Sequence, residues 1–481
     1  DAGIRVLGDF VINHVHEDHV YFQEEPGWFN EGCLCGTSGC EWTERRLDCL
    51  FMSYMPDIDW SNEEVRERMV SDALWWIERF DLDGLRIDAV KHVDDEAITA
   101  LATAIKQRFE GTGNDIYLKG ETAMGWAGHS LEDNFEQYDT INRYISQDGL
   151  DGQADFVLYH AVVDNVFSNQ HMDYQHLDYW TNRSQDQYVH GAIMTPYIGS
   201  HDTPRIISRI ENDGTQWNQW AEQETPGIPS DWAYSRLEQA LGWLLTTPGA
   251  PVIYMGDEFG MHGGADPDNR RMLDHNLTSQ QQELHDFTAL LGNFRLENEA
   301  LRRGTYSTYY ADANLLAYEM ISESQELLVV LNRGGSTTLD VEYDTVLIGQ
   351  ADLTGGVLGI PAFSVNIIGY GSTADDGQSI EEGGDDDEEE ENDGASSDSS
   401  HFSFSHLPAY DTIPKISKDM YTSNPLDTRL KAWDSINEFS PGDLLHTQFW
   451  PVFKEGLLHG LIDPDSTLQN NYITLIQKLV F

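Results

Sequence analysis

From its first residues to about residue 295 the chain alternates short apolar runs with longer segments of helical period, and that alternation leaves few folds open. Strand and helix in regular succession are the pattern of βα units, in which each helix returns the chain so that the next strand runs parallel to the last. Strand candidates fall at 4–10, 84–87, 116–119, 156–159, 194–198 and 252–254. These are six, where a closed (β/α)8 barrel needs eight.

Between the first two candidates, residues 62–80 place Val65, Met69, Ala73, Trp76, Ile77 and Phe80 three and four apart, which predicts an amphipathic helix packed outside the sheet. Residues 15–60 break the rhythm with Gly, Cys and Trp and no helical period, so they read as a long insertion after the first strand. Residues 1–298 are therefore expected to form a partial (β/α)8 TIM-type barrel, an α/β fold lacking its first strands. Over 299–371 the period changes to two, as in 327–331 and 357–368, with Gly and Asn turns between; a small antiparallel β-sandwich domain is predicted. Residues 372–400 contain Asp385 to Glu391, seven acidic residues in succession, too polar to bury a core, and read as a disordered linker. Residues 401–481 have enough Leu, Ile, Trp and Phe for a small fold, with helical patterns at 457–461 and 473–479, but carry no chemical motif and stay unassigned.

Charge narrows the partners. With 83 acidic and 28 basic residues the formal charge is −55, which repels nucleic-acid phosphates and anionic membrane surfaces. No run of eighteen apolar residues is present, so no membrane span is predicted. All four cysteines, Cys33, Cys35, Cys40 and Cys49, lie in the insertion. Their spacing lacks the paired C-x2-C knuckles of a zinc site, so two disulfides formed in an oxidising compartment are favoured, with the pairing left open. An extracellular or periplasmic location goes with them.

In parallel barrels the working groups gather at the carboxyl ends of strands. Four strand ends here carry polar residues: Asp9 through Asn13 and His14, Arg86 with Asp88, Glu121, and His201 with Asp202. Any one alone reads as a helix cap or a solvated side chain. Four in succession read as a site.

Their order and wording resemble a known family. Asp9-Phe-Val-Ile-Asn13-His14, Gly84-Leu-Arg86-Ile-Asp88-Ala-Val-Lys91-His92, Gly120-Glu121 and Ser200-His201-Asp202 are similar to the four sequence regions of the α-amylase superfamily. Met55-Pro56-Asp57-Ile58-Asp59 resembles that family's further region in its inserted domain, and Gly249 to Glu258 resembles its eighth strand. The resemblance covers residues 1–371 and implies two more strands before Ile4, so the amino terminus reads as truncated.

The resemblance implies a retaining glycoside hydrolase that cleaves α-1,4-glucosidic bonds in starch-like glucans or malto-oligosaccharides. Asp88 is then the nucleophile, Glu121 the acid/base and Asp202 the carboxylate that stabilises the transition state. Arg86, two residues before Asp88 on the same strand face, holds the nucleophile ionised, and neighbouring carboxylates raise Glu121. His14 and His201 donate to the same sugar ring, and Lys91 with His92 borders the aglycone side. The resemblance also implies calcium, held by the side chains of Asn13 and Asp57 and the main-chain carbonyl of His92, with a further carboxylate from Asp48 or Glu44. One of Trp28, Trp42, Trp60 and Trp126 is expected to offer a stacking face to glucose. Ala265-Asp266-Pro267-Asp268-Asn269-Arg270-Arg271 resembles enzymes of intermediate specificity, so a transglycosylase or an oligosaccharide-specific hydrolase stands as an alternative. A non-catalytic carbohydrate-binding relative is the alternative that follows if the truncation is natural.

Overall fold

Strand β1 (Leu7–Val11) starts a parallel sheet, and the chain after it runs α1 (Val20–Glu24), β2 (Phe29–Asn30), β3 (Asp57–Ile58), α2 (Glu63–Phe80), β4 (Gly84–Asp88), α3 (Asp95–Phe109), β5 (Tyr117–Gly120), α4 (Phe135–Asn142) and β6 (Gly152–Gln153). This computed structural model describes residues 3–371 apart from 111, 112, 114 and 223; the acidic stretch and the segment 401–481 lie outside the described residues. The four parallel strands pair in the order β1-β4-β5-β6, and single parallel bridges from Ala154 to Thr195 and from Tyr197 to Val252 carry the sheet two positions further. Gly84 permits a close step: a Cβ there would lie 2.1 Å from the carbonyl oxygen of Tyr117.

The helices form where capping and apolar spacing agree. Asn62 accepts from the amide of Glu64 at the start of α2, Glu63 and Glu64 occupy the positive end of the helix, and Arg79 the negative end. Val65, Met69, Ala73 and Ile77, four residues apart, are its buried stripe. Burying each of the larger three contributes about 1.5–3 kcal/mol, against about 1 kcal/mol for the cap, so packing fixes the helix and the cap fixes its end. Asp94 caps α3 in the same way, accepting from Glu96 and Ala97 amides.

Two expectations need correction. The apolar run at 156–159 is not a strand but the first turn of α5 (Phe156–Val162). Fully buried Asp155 accepts from the Leu158 amide at 3.1 Å and from the Tyr188 hydroxyl at 2.7 Å, so it caps a helix where the run alone cannot tell helix from strand. The strand in that place is the shorter β6, just upstream. The insertion also contains a short helix, α1, that lacks a detectable period because none of its residues is buried.

The sheet is not closed among the described residues. One flank of β1 pairs with β4; on the other, Val6 and Val11 are exposed beside Trp75, Trp76 and Phe80, around a groove of about 1000 Å³. The structure thus departs from a complete barrel at the position where the sequence lacks strand candidates.

Helices α6 (Tyr174–Gln187), α7 (Ile206–Glu211), α8 (Asp231–Thr246), α9 (Ser279–Glu297) and α10 (Glu299–Arg303) complete this half. Eight antiparallel strands follow: β7 (Thr305–Ala311), β8 (Leu315–Ile321), β9 (Glu326–Asn332), β10 (Thr337–Asp340), β11 (Thr345–Ile348), β12 (Asp352–Thr354), β13 (Val357–Ile360) and β14 (Ser364–Gly369). They form a five-stranded sheet, β11-β14-β9-β8-β7, and a three-stranded sheet, β10-β13-β12. The period of two sets both faces. Leu316, Tyr318 and Met320 of β8 turn toward Leu241 and Trp243 of α8, while Leu315 and Ala317 face the second sheet with Leu358 and Ile360.

A buried ion pair braces the loop after the fifth parallel position. Arg205 reaches Asp257 Oδ1 at 3.1 Å, the Met255 carbonyl at 2.5 Å and the Asn269 carbonyl at 2.9 Å, and lies over the Tyr254 ring. Asn269 in turn donates to the carbonyls of His201 and Thr203 at 2.7 and 3.0 Å. Burial pushes the Asp257 carboxyl up to about 7 even beside Arg205. Arg205→Met leaves that carboxyl without its cation and is expected to cost about 3–5 kcal/mol in urea unfolding; a loss below about 1 kcal/mol would contradict this role.

Cys33 pairs with Cys40 and Cys35 with Cys49, so the four clustered cysteines close two loops of the insertion. Protein denatured without reductant is therefore expected to titrate no thiols, and four after reduction. Four titratable thiols before reduction would refute both pairings.

Candidate active site

Parallel register brings the site together. Asp9 of β1 pairs with Arg86 of β4, and Arg86 with Lys119 of β5, so an acid and two bases lie side by side across three strands. Side chains two residues further along point the same way, which places Asp88 at the end of β4 and Glu121 just beyond β5 in the next layer up. Arg86 ties both layers: Nη1 donates to Asp9 Oδ1 at 2.8 Å and to Asp88 Oδ1 at 2.5 Å, and Nη2 reaches Glu121 Oε1 at 2.7 Å. Backbone geometry brings β4 and β5 together here. The Glu121 amide donates to the Ile87 carbonyl at 3.0 Å and the Val90 amide to the Glu121 carbonyl at 2.9 Å, while Ala89 takes a left-handed φ of 49° that turns the chain out of the strand.

One guanidinium serves three carboxyl groups and cannot compensate all of them. Glu121 is raised to about 7, first by burial; the Arg86 charge opposes this, and Asp88, within hydrogen-bonding reach, adds to it. Burial governs the neighbouring bases as well. His14 is held below the usual imidazole range by burial against the pull of Asp88, His92 falls to about 4 through burial and the Lys91 charge, and Lys119 falls to about 8 through burial and the Arg86 charge. At neutral pH the His92 ring is therefore uncharged. Its Nδ1 lies 3.1 Å from the Arg46 carbonyl and its ring edge meets Trp42 and Phe51.

Asp88 and Glu121 open onto a cavity of about 730 Å³, and His14, Arg86, Lys91, His92, His201 and Asp202 line it with them. All eight residues expected at the substrate are thus gathered in one place. Asp202 is the most exposed of the three acids, its side chain 55% accessible, with His201 Nε2 at 3.3 Å and Arg270 Nη2 at 3.5 Å. Of the four tryptophans considered, Trp42 lines the cavity. Trp60 is buried and donates to the Ile12 carbonyl at 2.9 Å, Trp28 packs on Tyr21, and Trp126 packs on His129, His176 and Trp180.

Several lining residues were not anticipated. Lys119 was open to discovery from strand parity, two residues before Glu121. Tyr159 and Tyr197 stack face to face, ring centroids 4.4 Å apart, and form an aromatic wall; no local signal distinguishes them from core tyrosines. Arg270, quoted above only within a motif, also reaches the His201 carbonyl at 3.1 Å and so helps fix the Asp202 loop.

Asn13 and Asp57 do not line the cavity. They lie side by side where the insertion returns: the Ile58 amide donates to the Asn13 carbonyl at 2.9 Å, and His14 bridges to Asp57. Both are almost fully buried. Among the described residues Asn13 Oδ1 has no hydrogen-bond partner, and burial raises Asp57 to about 8 although Asn30 donates to it at 2.8 Å. Asp48 adds to the field on Asp57, whereas Arg45 holds Asp48 itself. Among the described residues no three of His, Cys, Asp and Glu gather as a ligand set.

Comparison with known proteins places this geometry. The chain is 26% identical over 352 residues to a cyclomaltodextrinase of Geobacillus thermopakistaniensis, covering 69% of this chain and 52% of that protein. It is 27% identical over 301 residues to a maltogenic α-amylase of Bacillus acidopullulyticus, covering 61% and 44%. The chain spans about half the length of these curated relatives. Among solved structures, an α-amylase of Geobacillus thermoleovorans complexed with acarbose superposes with a TM-score of 0.62 at 22% identity, covering 77% of this chain and 78% of that one, a likeness of fold. Residues 36–305, more than half of the chain, match the family model described as the α-amylase catalytic domain. Asp9, Asn13 and His14 precede that match, yet register and hydrogen bonds bring them to the residues within it. The chain belongs to the α-amylase family.

Proposed function

We propose that this protein is a retaining glycoside hydrolase that cleaves α-1,4 bonds of starch-like glucans by double displacement. The observation that carries the reading is the pair Asp88 and Glu121, bridged by Arg86 at the mouth of one cavity, with Glu121 raised to about 7. Retaining enzymes keep their two carboxyl groups about 5–5.5 Å apart and inverting enzymes about 6.5–9.5 Å. A shared guanidinium and hydrogen-bonding reach between the two acids favour the shorter separation.

In the first step Asp88 attacks the anomeric carbon as the bond to the leaving oxygen breaks, and Glu121 gives its proton to that oxygen. In the second, Glu121 takes a proton from water as the water displaces Asp88. Asp202, with His201 and Arg270 beside it, faces the ring as positive charge develops there, and His14 and His201 donate to ring hydroxyls. Transfer to a sugar hydroxyl instead of water shares the first step; the names of the relatives keep that reading open, and the motif around Arg270 leans the same way. A purely binding role has no use for a proton donor held near neutrality.

Asn13 and Asp57 fit a hard divalent cation, because an unpartnered buried amide oxygen and a buried carboxyl both gain from one. Calcium held there, with the main-chain carbonyl of His92 and a further carboxylate from Asp48 or Glu44, would tie the insertion to the sheet and screen Asp57. The two disulfides suit export to an oxidising compartment, and among the described residues no helix is long and apolar enough to cross a membrane.

Asp88→Asn is expected to lower turnover of soluble starch by several orders of magnitude, while NMR of the parent's first products shows the α-anomer. Turnover within about tenfold of the parent, or an initial β-anomer, would remove Asp88 from its role. Chelation is expected to lower the melting temperature of the parent by several degrees and to leave Asp57→Ala unmoved. A parent melting temperature indifferent to chelator would remove calcium.

A further inference from the structure

Lys119 is a cation without a partner beside the two acids. It stands next to Arg86 in the register of β4 and β5 and two residues before Glu121, so the period of two sends its side chain to the face that Glu121 shares. With them it lines the catalytic cavity. Among the described residues its ammonium makes no hydrogen bond and no ion pair, whereas Arg86 is divided among Asp9, Asp88 and Glu121. A side chain that only filled this space would avoid the cost of a buried charge, as methionine does.

The groups around Lys119 decide what its charge acts on. Burial lowers it to about 8 and the Arg86 charge adds to this, while Glu121 and Asp9 oppose it, so at neutral pH it keeps its proton. On its other side β6 offers Gly152, which has no side chain, and Asp151 is already taken by Lys106 and by the Leu118 amide, each at 2.8 Å. Tyr117, two residues earlier, turns its hydroxyl to the Ile193 carbonyl at 2.8 Å, and Tyr197 near Glu121 stays neutral because burial raises it well above the ordinary range. Arg86 is the stronger cation on Glu121, but it serves Asp88 as well. Lys119 shares a strand with Glu121 alone.

In the reaction proposed above, the charge of the acid pair moves but does not vanish. As the Asp88 oxygen bonds to the anomeric carbon its charge is used in the ester, and as Glu121 gives its proton to the leaving oxygen a charge appears on Glu121. A cation that acts on Glu121 favours the second arrangement over the first.

We propose that Lys119 is a positioning residue for that proton: its ammonium, unpaired in the layer below Glu121 on the same strand, draws charge onto Glu121 as the leaving sugar takes the proton. The inference rests on the double-displacement reading above and adds to it a residue that speeds the first step through Glu121.

The test compares the parent with Lys119→Met, Lys119→Gln and Lys119→Arg on two substrates, each followed as kcat/KM. Maltotetraose needs a proton on its leaving sugar, whereas 2-chloro-4-nitrophenyl α-maltotrioside loses its phenolate unaided. Either neutral variant is expected to lower the ratio of the first to the second about fivefold and to move the alkaline limb of the maltotetraose profile up by about one pH unit, because a carboxyl without its cation keeps its proton longer. Lys119→Arg is expected to restore both. Turnover of the aryl substrate also reports that a variant is folded, and the two neutral variants stand in for each other if one is not. A ratio or a limb that stays at the parent's value in the neutral variants, or an equal loss in Lys119→Arg, overturns the role of Lys119 and leaves the glucan reading standing. Parent protein that cleaves neither substrate overturns that reading and this inference together.

Discussion

The guanidinium of Arg86 lies among Asp9, Asp88 and Glu121, which come from the middle of β1, the end of β4 and just beyond β5. Without the cation, three acids would crowd one partly buried place. Like charges 4 Å apart repel by about 4 kcal/mol at an effective dielectric of about 20, enough to push neighbouring strand ends apart or to force protons onto the acids. With it, β1, β4 and β5 are clamped at one level, and the remaining imbalance falls on the most burdened acid, Glu121. The same contact therefore sets strand register and opposes the burial that raises Glu121 to about 7, and in the proposed reaction it positions the attacking group and the proton donor.

Two braces keep that arrangement in place from outside the sheet. On one side the insertion, closed by two disulfides, anchors through Arg46 to the backbone of Lys91 and Val93, and brings Trp42 and Asp57 to their places. On the other side Arg205, Asp257 and Asn269 hold the loop of His201 and Asp202 by its carbonyls. β1, although its outer flank is unpaired among the described residues, is fixed by its ladder to β4, by Arg86 on Asp9 and by Trp60 on Ile12. The open flank and its exposed tryptophans lie on the outer side of β1, and the site itself is built on the paired strands.

Asp88 and Glu121 were legible from sequence because chemistry and strand geometry agree there: each follows a short apolar run, and the period of two sends Arg86 and Asp88 to one face. Helix α2 was legible because its stripe of Val65, Met69, Ala73 and Ile77 is both periodic and buried. Residues 156–159 were misread because a buried apolar run has no period to consult, and the deciding group, Asp155, finds Ser184 and Tyr188 far along the chain. Tyr159 and Tyr197 escaped for the same reason, since their stacking joins two segments that sequence cannot place together. The cysteine pairing was likewise open in sequence, because four cysteines allow three connectivities and only the folded insertion selects one.

The account depends most on Glu121 holding a proton near neutral pH beside a guanidinium that would ordinarily remove it. Difference infrared spectroscopy across a pH titration reads this directly, with Glu121→Gln as the reference that removes the band. The account predicts a carboxyl C=O band that disappears as pH rises through about 7 in the parent and is missing from the variant. A parent whose Glu121 band is already lost by about pH 5, near the ordinary glutamate value of about 4.3, would contradict it.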